Sequence, residues 1–154
     1  MSPKRPAALD DISKAIIELL QEDGRRPYSE IAKAVGLSEA AVRQRVQRLT
    51  EAEVMQIVAV TDPTQMGYGR QALVGIHVSG DTREVADALA ELPFVIYVVL
   101  TAGSFDIIAE VICEDDDELV ELLNAKIRRI EGVRSTETFV YLQLRKQLYD
   151  WGTR

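Results

Sequence analysis

The stretch Ser38-Glu-Ala-Ala-Val-Arg-Gln-Arg-Val-Gln-Arg-Leu-Thr50 reads as one amphipathic helix, and the rest of the chain makes sense around it. At 100° per residue, Val42, Val46 and Leu49 fall on one narrow stripe, at i, i+4 and i+7. Ala40, Arg43, Gln44 and Gln47 point the opposite way, with Arg48 at the flank. Ser38 stands where an N-cap belongs, since its hydroxyl can accept from the unpaired amides of the first turn. A helix with an apolar back and an Arg/Gln front fits the DNA major groove, where Arg pairs with guanine and Gln with adenine edges. Taken alone, the same pattern also describes a solvated surface helix. The residues just before it decide between the two.

Leu9, Ile12, Ile16, Leu19 and Leu20 give a helical apolar stripe, capped by Asp10 or Asp11 and closed near Gly24. In Arg25-Arg-Pro-Tyr-Ser-Glu-Ile-Ala-Lys-Ala-Val-Gly-Leu-Ser38, Pro27 suits the first turn of a second helix, where its missing N–H costs nothing. Ile31, Ala32 and Val35 make a short buried face, and Gly36 tolerates the left-handed turn that follows. Leu37 can fill the space between the two helices, and Ala32 is small where they approach. Helix, tight glycine turn and second helix with a basic front is the helix-turn-helix arrangement.

Charge is partitioned along the chain. The net −7 at first argues against a nucleic-acid partner. Residues 1–60, however, hold nine Lys/Arg and nine Asp/Glu, whereas residues 61–154 hold nine against sixteen. The acidic excess therefore lies away from the basic helix, and local field governs docking more than the total does. With 154 residues, 47% of them hydrophobic, the chain suits one domain or two small ones with a real core. No run approaches the roughly 20 apolar residues of a membrane span, and Met1–Pro6 lacks the apolar core of a signal peptide. A cytoplasmic location is expected, with no membrane partner.

Val54–Val60 is rich in β-branched residues and is expected to be a strand, either a wing or an arm that pairs with a partner chain. Residues 61–70 carry Asp62-Pro63 and two glycines and read as a linker between domains 1–60 and 71–154. The period then changes. Gln71–Val78 alternates as a strand; Val85, Ala88, Leu89 and Leu92 mark a helix; Val95–Leu100 and Ile107–Cys113 are buried strands. Leu119, Leu123, Ile127 and Ile130 mark a second helix, and a last strand covers roughly Ser135–Leu144. Strand, helix, strand, strand, helix, strand is the ferredoxin-like βαββαβ pattern. Two helices cover one sheet face, and a second copy of the sheet is the natural cover for the other. The expected fold class is α+β, a winged helix-turn-helix domain joined to a ferredoxin-like domain.

This order of parts resembles the Lrp/AsnC, or feast/famine, family over about residues 8–146. The resemblance is carried by Ile31-Ala-Lys-Ala-Val-Gly-Leu-Ser38 with Val42, Val46 and Leu49, then by Asp62-Pro63 and Gly103-Ser-Phe-Asp106. It implies a bacterial or archaeal transcription regulator, dimeric at least and often octameric, whose C-terminal domain binds an amino acid between dimers. The chain departs from the family pattern at two places. Ala52-Glu-Val-Met55 stands where the family often has Glu-Gly-Val-Ile, and a Glu strains a left-handed C-cap by roughly a kcal/mol. Ala102 and Phe105 stand where the family's ligand loop commonly has Thr and Tyr, so one hydroxyl is missing at each.

For DNA, Arg43, Gln44 and Gln47 are candidates for base edges, and Arg48, Arg45, Lys33, Arg25 and Arg26 for phosphates, with Ser38 and the helix-start amides adding to the latter. Arg45 projects close to the apolar stripe and could equally form an intramolecular salt bridge. Two such helices in a dimer imply a palindromic double-stranded operator. For an effector, the candidates are Gly103, Ser104, Phe105 and Asp106 with Thr136 and Thr138; Gly103 lets backbone approach closely and Asp106 can accept from an ammonium. The alternative is a tight hairpin in which Asp106 caps its own backbone.

Other chemistries find little purchase. Cys113 is the single cysteine, in an apolar run, and His77 the single histidine, which leaves a metal site or catalytic triad almost nothing to work with. Asp115-Asp-Asp-Glu118 sits at a helix start, where acids complement the dipole. No metal, cofactor or catalytic residue is expected. The competing readings are a ligand-independent architectural DNA-binding protein and an amino-acid sensor acting on a protein partner.

Overall fold

The structure is a computed structural model and describes residues 9–153. The chain divides into two compact units, one running through Val60 and rejoined by the segment from Lys146, the other Thr61–Arg145.

In the first unit, Asp10 caps α1 (Asp11–Glu22), its Oδ1 accepting from the Ser13 amide at 2.8 Å. Helix α2 (Tyr28–Val35) buries Ile31 and Ala32. Pro27 stands one residue outside it, its carbonyl accepting from the Glu30 and Ile31 amides at 2.9 and 3.1 Å. Gly36 ends α2 at φ 70°, ψ 32°, a conformation that a side chain would strain, and the Leu37 amide reaches back to the Ala32 carbonyl at 2.9 Å. Helix α3 (Glu39–Glu51) starts at Ser38, whose hydroxyl accepts from the Ala41 amide at 3.2 Å, and buries Val42, Val46 and Leu49. Ile16, Leu20, Ile31, Ala32, Val42 and Val46 form the core that fixes the three helices. Fully burying each larger side chain contributes about 1.5–3 kcal/mol.

Glu53 follows α3 at φ 56°, the only non-glycine residue with positive φ among those described. The left-handed C-cap is thus retained despite the missing glycine, with the Val54 amide bonded to the Leu49 carbonyl at 3.0 Å. The expected strand at residues 54–60 does not form. A strand needs a neighbour to take its N–H and C=O groups, and none pairs with this segment among the described residues; Val54, Ile57, Val58 and Val60 stay exposed. Further on, the amide of Gly152 donates to Gln21 of α1 at 3.1 Å and the hydroxyl of Thr153 to Glu18 at 2.5 Å.

The second unit opens with a 3-10 turn, Pro63–Met66, capped by Asp62. Strands β1 (Arg70–Val78), β2 (Val95–Leu100), β3 (Ile107–Cys113) and β4 (Val133–Val140) form one antiparallel sheet in the order β2-β3-β1-β4. With α4 (Thr82–Ala90) and α5 (Asp116–Glu121) after β1 and β3, this is the βαββαβ arrangement. Ala72, Val74, Ile76, Ile107, Ala109, Val111 and Cys113 point into the core against Val85, Leu89, Leu119, Leu122 and Ile127. Cys113 is fully buried, and desolvation with the nearby Glu118 and Asp115 pushes its thiol up to about 11.

Two boundaries differ from expectation. Strand β4 starts two residues earlier than Ser135 and stops at Val140. Its last ladder pair is Val140 with Ala72, although β1 runs on to Arg70; the Tyr141 amide still donates to the Gln71 carbonyl at 2.8 Å, and Leu142 and Leu144 are exposed. The second helix is short and continues as a π-helical run, Leu122–Lys126, then a 3-10 turn, Ile127–Arg129. A π turn is one residue wider than an α turn, which brings Leu122 rather than Leu123 into the core five positions before Ile127.

Candidate DNA interface and effector loop

The front of α3 is exposed while its back is locked. Arg43 places Nη2 2.7 Å from Oε1 of Glu39, and its guanidinium carbon lies 5.4 Å from the centre of the Tyr28 ring. Gln47 donates to Oε1 of Glu51 at 2.7 Å. Gln44 and Arg48 are exposed and make no side-chain hydrogen bond among the described residues. Lys33 lies exposed in the last turn of α2, Arg25 is exposed, and Arg26 pairs with Glu22 at 3.1 Å. Tyr28, Glu39 and Glu51 escaped the reading of the sequence, although the four-residue spacing of Glu39 from Arg43 and of Gln47 from Glu51 is a recognisable helix-face pairing.

Arg45 turns inward. Its Nη1 lies 2.7 and 3.0 Å from the two Asp10 oxygens and 3.0 Å from the Ser13 hydroxyl, the intramolecular alternative raised by its position near the stripe. Hydrogen bonds from Ser13 and Arg45 hold the Asp10 carboxyl at about 2, below its ordinary 3.8.

The loop between β2 and β3 is tied down at both ends. The Thr101 amide donates to the Asp106 carbonyl at 2.9 Å, and the Thr101 hydroxyl donates to the Phe105 carbonyl. Asp106 extends the ladder past Ile107: its amide donates to the Ile76 carbonyl at 3.0 Å and its Oδ2 accepts from the Val78 amide at 2.8 Å. The carboxylate thus caps the neighbouring strand rather than its own hairpin. Gly103 and Ser104 are exposed at the tip. Phe105 folds over Gly75, where an added Cβ would meet the ring at 2.7 Å, and packs 5.1 Å from His77 and 6.2 Å from Phe139, centre to centre.

Thr136 and Thr138 pair with Ile76 and Val74, so they share the helix-covered side of the sheet, whereas Phe105 lies over Gly75 on the other side. The loop and these threonines are also two strand spacings apart, about 10 Å. One chain does not bring them together. Thr136 instead accepts from Nε of Arg128 at 2.9 Å, and Nη1 of Arg128 donates to Asn124 at 2.6 Å.

A helix-turn-helix followed by a split-βαβ sheet domain defines a DNA-binding transcriptional regulator. Residues 9–50 match the AsnC-type helix-turn-helix domain, and residues 69–154 match the PF0864 C-terminal dimeric alpha+beta barrel domain. The HTH-type transcriptional regulator FL11 of Pyrococcus furiosus is 38% identical over 141 residues, covering 90% of this chain and 93% of its own. The solved structure of Escherichia coli AsnC matches with a TM-score of 0.81 at 28% identity, over 93% of this chain and 98% of that one. A Neisseria meningitidis regulator solved as a complex with L-Met shares the fold, with a TM-score of 0.80 at 21% identity over 93% of this chain and 96% of that one. The chain belongs to the Lrp/AsnC family of transcriptional regulators. No helix among the described residues is long and apolar enough to cross a membrane.

Proposed function

We propose that this regulator binds a palindromic operator as a dimer at least, and that a small ligand, an amino acid, modulates that binding. The observation that carries the DNA part is the division of α3 into a buried back, Val42, Val46 and Leu49, and an exposed front of Arg43, Gln44 and Gln47. In this reading the front meets base edges, while Arg48, Lys33, Arg25, Arg26 and the Ser38 helix start meet phosphates. Arg45, engaged with Asp10, serves the fold. A gel shift with DNA upstream of the protein's own gene tests it. Specific binding that falls steeply with salt supports the reading; equally tight binding to every sequence would indicate an architectural protein, and no DNA binding a sensor acting on protein.

Two features support assembly. The sheet face opposite the helices carries partly exposed Leu73, Ile108, Ile112 and Phe139, and segment 54–60 has no strand partner among the described residues. The matched family domain is described as dimeric. An effector between copies would be met by Gly103–Asp106 from one and Thr136 and Thr138 from another, in keeping with their separation within one chain; that the Neisseria neighbour was solved with L-Met supports an amino acid as the ligand. Dimers joined in this way could close into an octamer. A thermal-shift screen across the amino acids tests the effector, because a ligand of the folded state raises stability as ln(1 + [L]/Kd). No shift with any of them would end the effector reading and leave the DNA reading standing.

A further inference from the structure

The sheet domain is rich in acids, so a basic side chain there has carboxylates to choose among. Arg70 takes one, Asp116, at 2.5 Å. Arg83, Lys126, Arg128, Arg129, Arg134 and Arg145 take none among the described residues, and of these Arg128 and Arg134 come together. Both line a single cavity of about 250 Å³, whose other walls are Val133, Ser135 and Thr136.

Each arginine reaches the cavity for an identifiable reason. The bonds from Arg128 to Thr136 and Asn124 hold its guanidinium in place through neutral acceptors, so its charge is not cancelled and Nη2 is left for a ligand. Arg134 owes its position to a break in register. Val133 pairs with Val78 and Ser135 with His77, so β4 has one more residue than β1 at this point and Arg134 has no opposite number. Such a bulge on an edge strand re-aims side chains. Past the bulge the pairing is regular again, with Ser135 opposite His77 and Thr136 opposite Ile76, and Arg134 lines the same cavity as Thr136.

We propose that this cavity binds a small dicarboxylate of amino-acid size. The Arg128 and Arg134 guanidiniums each engage one carboxylate, a charge-assisted pairing that their planar forks favour, and the Thr136 hydroxyl donates to a remaining oxygen. Two uncompensated guanidiniums match two negative charges. The proposal rests on the effector reading given above, through Thr136, and adds to it the chemical class of the ligand.

Titration calorimetry on the full chain with L-glutamate, L-glutamine, 2-oxoglutarate and inorganic phosphate tests this. L-glutamate should bind at least about tenfold more tightly than L-glutamine, a difference of about 1.4 kcal/mol. Arg128→Gln and Arg134→Gln should each weaken L-glutamate by about as much, with Arg83→Gln on α4 without effect. Melting curves without ligand separate a folding defect from lost binding, and Arg128→Lys, which keeps charge but not the fork, should recover only part of the affinity. Equal binding of glutamine and glutamate, unchanged affinity in both arginine variants, tighter binding of phosphate than of either dicarboxylate, or no binding at all would overturn the proposal. A neutral amino acid bound alike by wild type and both variants would sink the dicarboxylate and spare the effector reading. If 2-oxoglutarate binds through the two arginines and no amino acid binds, the dicarboxylate stands and the amino-acid reading falls.

Discussion

Arg45 of α3 reaches across to the residue that caps α1, its Nη1 2.7 Å from Oδ2 of Asp10. One carboxylate therefore starts α1 and clamps α3 against it. Its folded pKa of about 2 lies below the ordinary 3.8, so its stabilisation is complete above about pH 4 and is lost as pH falls towards 2. Asp10→Asn should melt lower than wild type at pH 6, with the gap closing between pH 4 and 2. A gap that stays constant across that range would show that this carboxylate's charge contributes nothing.

Glu53 holds a left-handed conformation, φ 56°, with no structural reason for a side chain there. Glu53→Gly should stabilise the helix-turn-helix unit by about 1 kcal/mol, the cost of placing an L-residue in that region. Chemical denaturation measures it. An unchanged or lower midpoint would mean that the greater freedom of glycine in the unfolded chain outweighs the relief.

Gly75 is the notch that Phe105 occupies. Gly75→Ala puts a methyl 2.7 Å from the ring and should cost about 1–3 kcal/mol by overpacking. Adding Phe105→Leu should recover part of the loss, and a double-mutant cycle with no coupling would disprove the contact.

In the proposed reading, Arg43 and Lys33 make two different kinds of DNA contact. Arg43→Ala should relax base preference at one operator position, at about 1–3 kcal/mol of discrimination. Lys33→Ala should weaken all sequences alike and reduce the salt slope by about 1. Competition binding over a panel of single-base operator variants distinguishes them, and the assignment fails if both variants behave identically.

Much of the architecture was legible because it rests on period and punctuation. The Val42, Val46, Leu49 stripe, the left-handed Gly36 and the Ser38 cap follow from residue type and spacing, and β2 and β3 fall at their expected bounds. What escaped depends on neighbours distant in sequence. Residues 54–60 have strand composition but no strand beside them among the described residues, β4 leaves the ladder at Val140 although β1 runs on to Arg70, and Leu122 faces inward through a π turn that no apolar spacing announces. At the sites, α3 showed its front by composition. The tasks of Asp106 and Arg128 became visible only once Val78 and Thr136 were beside them.

The hold of Gln21 on Gly152 joins residues 131 positions apart, and both belong to the same compact unit. During synthesis α1 emerges early, and the three helices have their core within the first fifty residues. The contact with Gly152 must wait until the entire sheet domain has been made. The DNA-binding unit therefore first exists without its closing segment, and its assembly is finished only after the domain that follows it in the chain has left the ribosome.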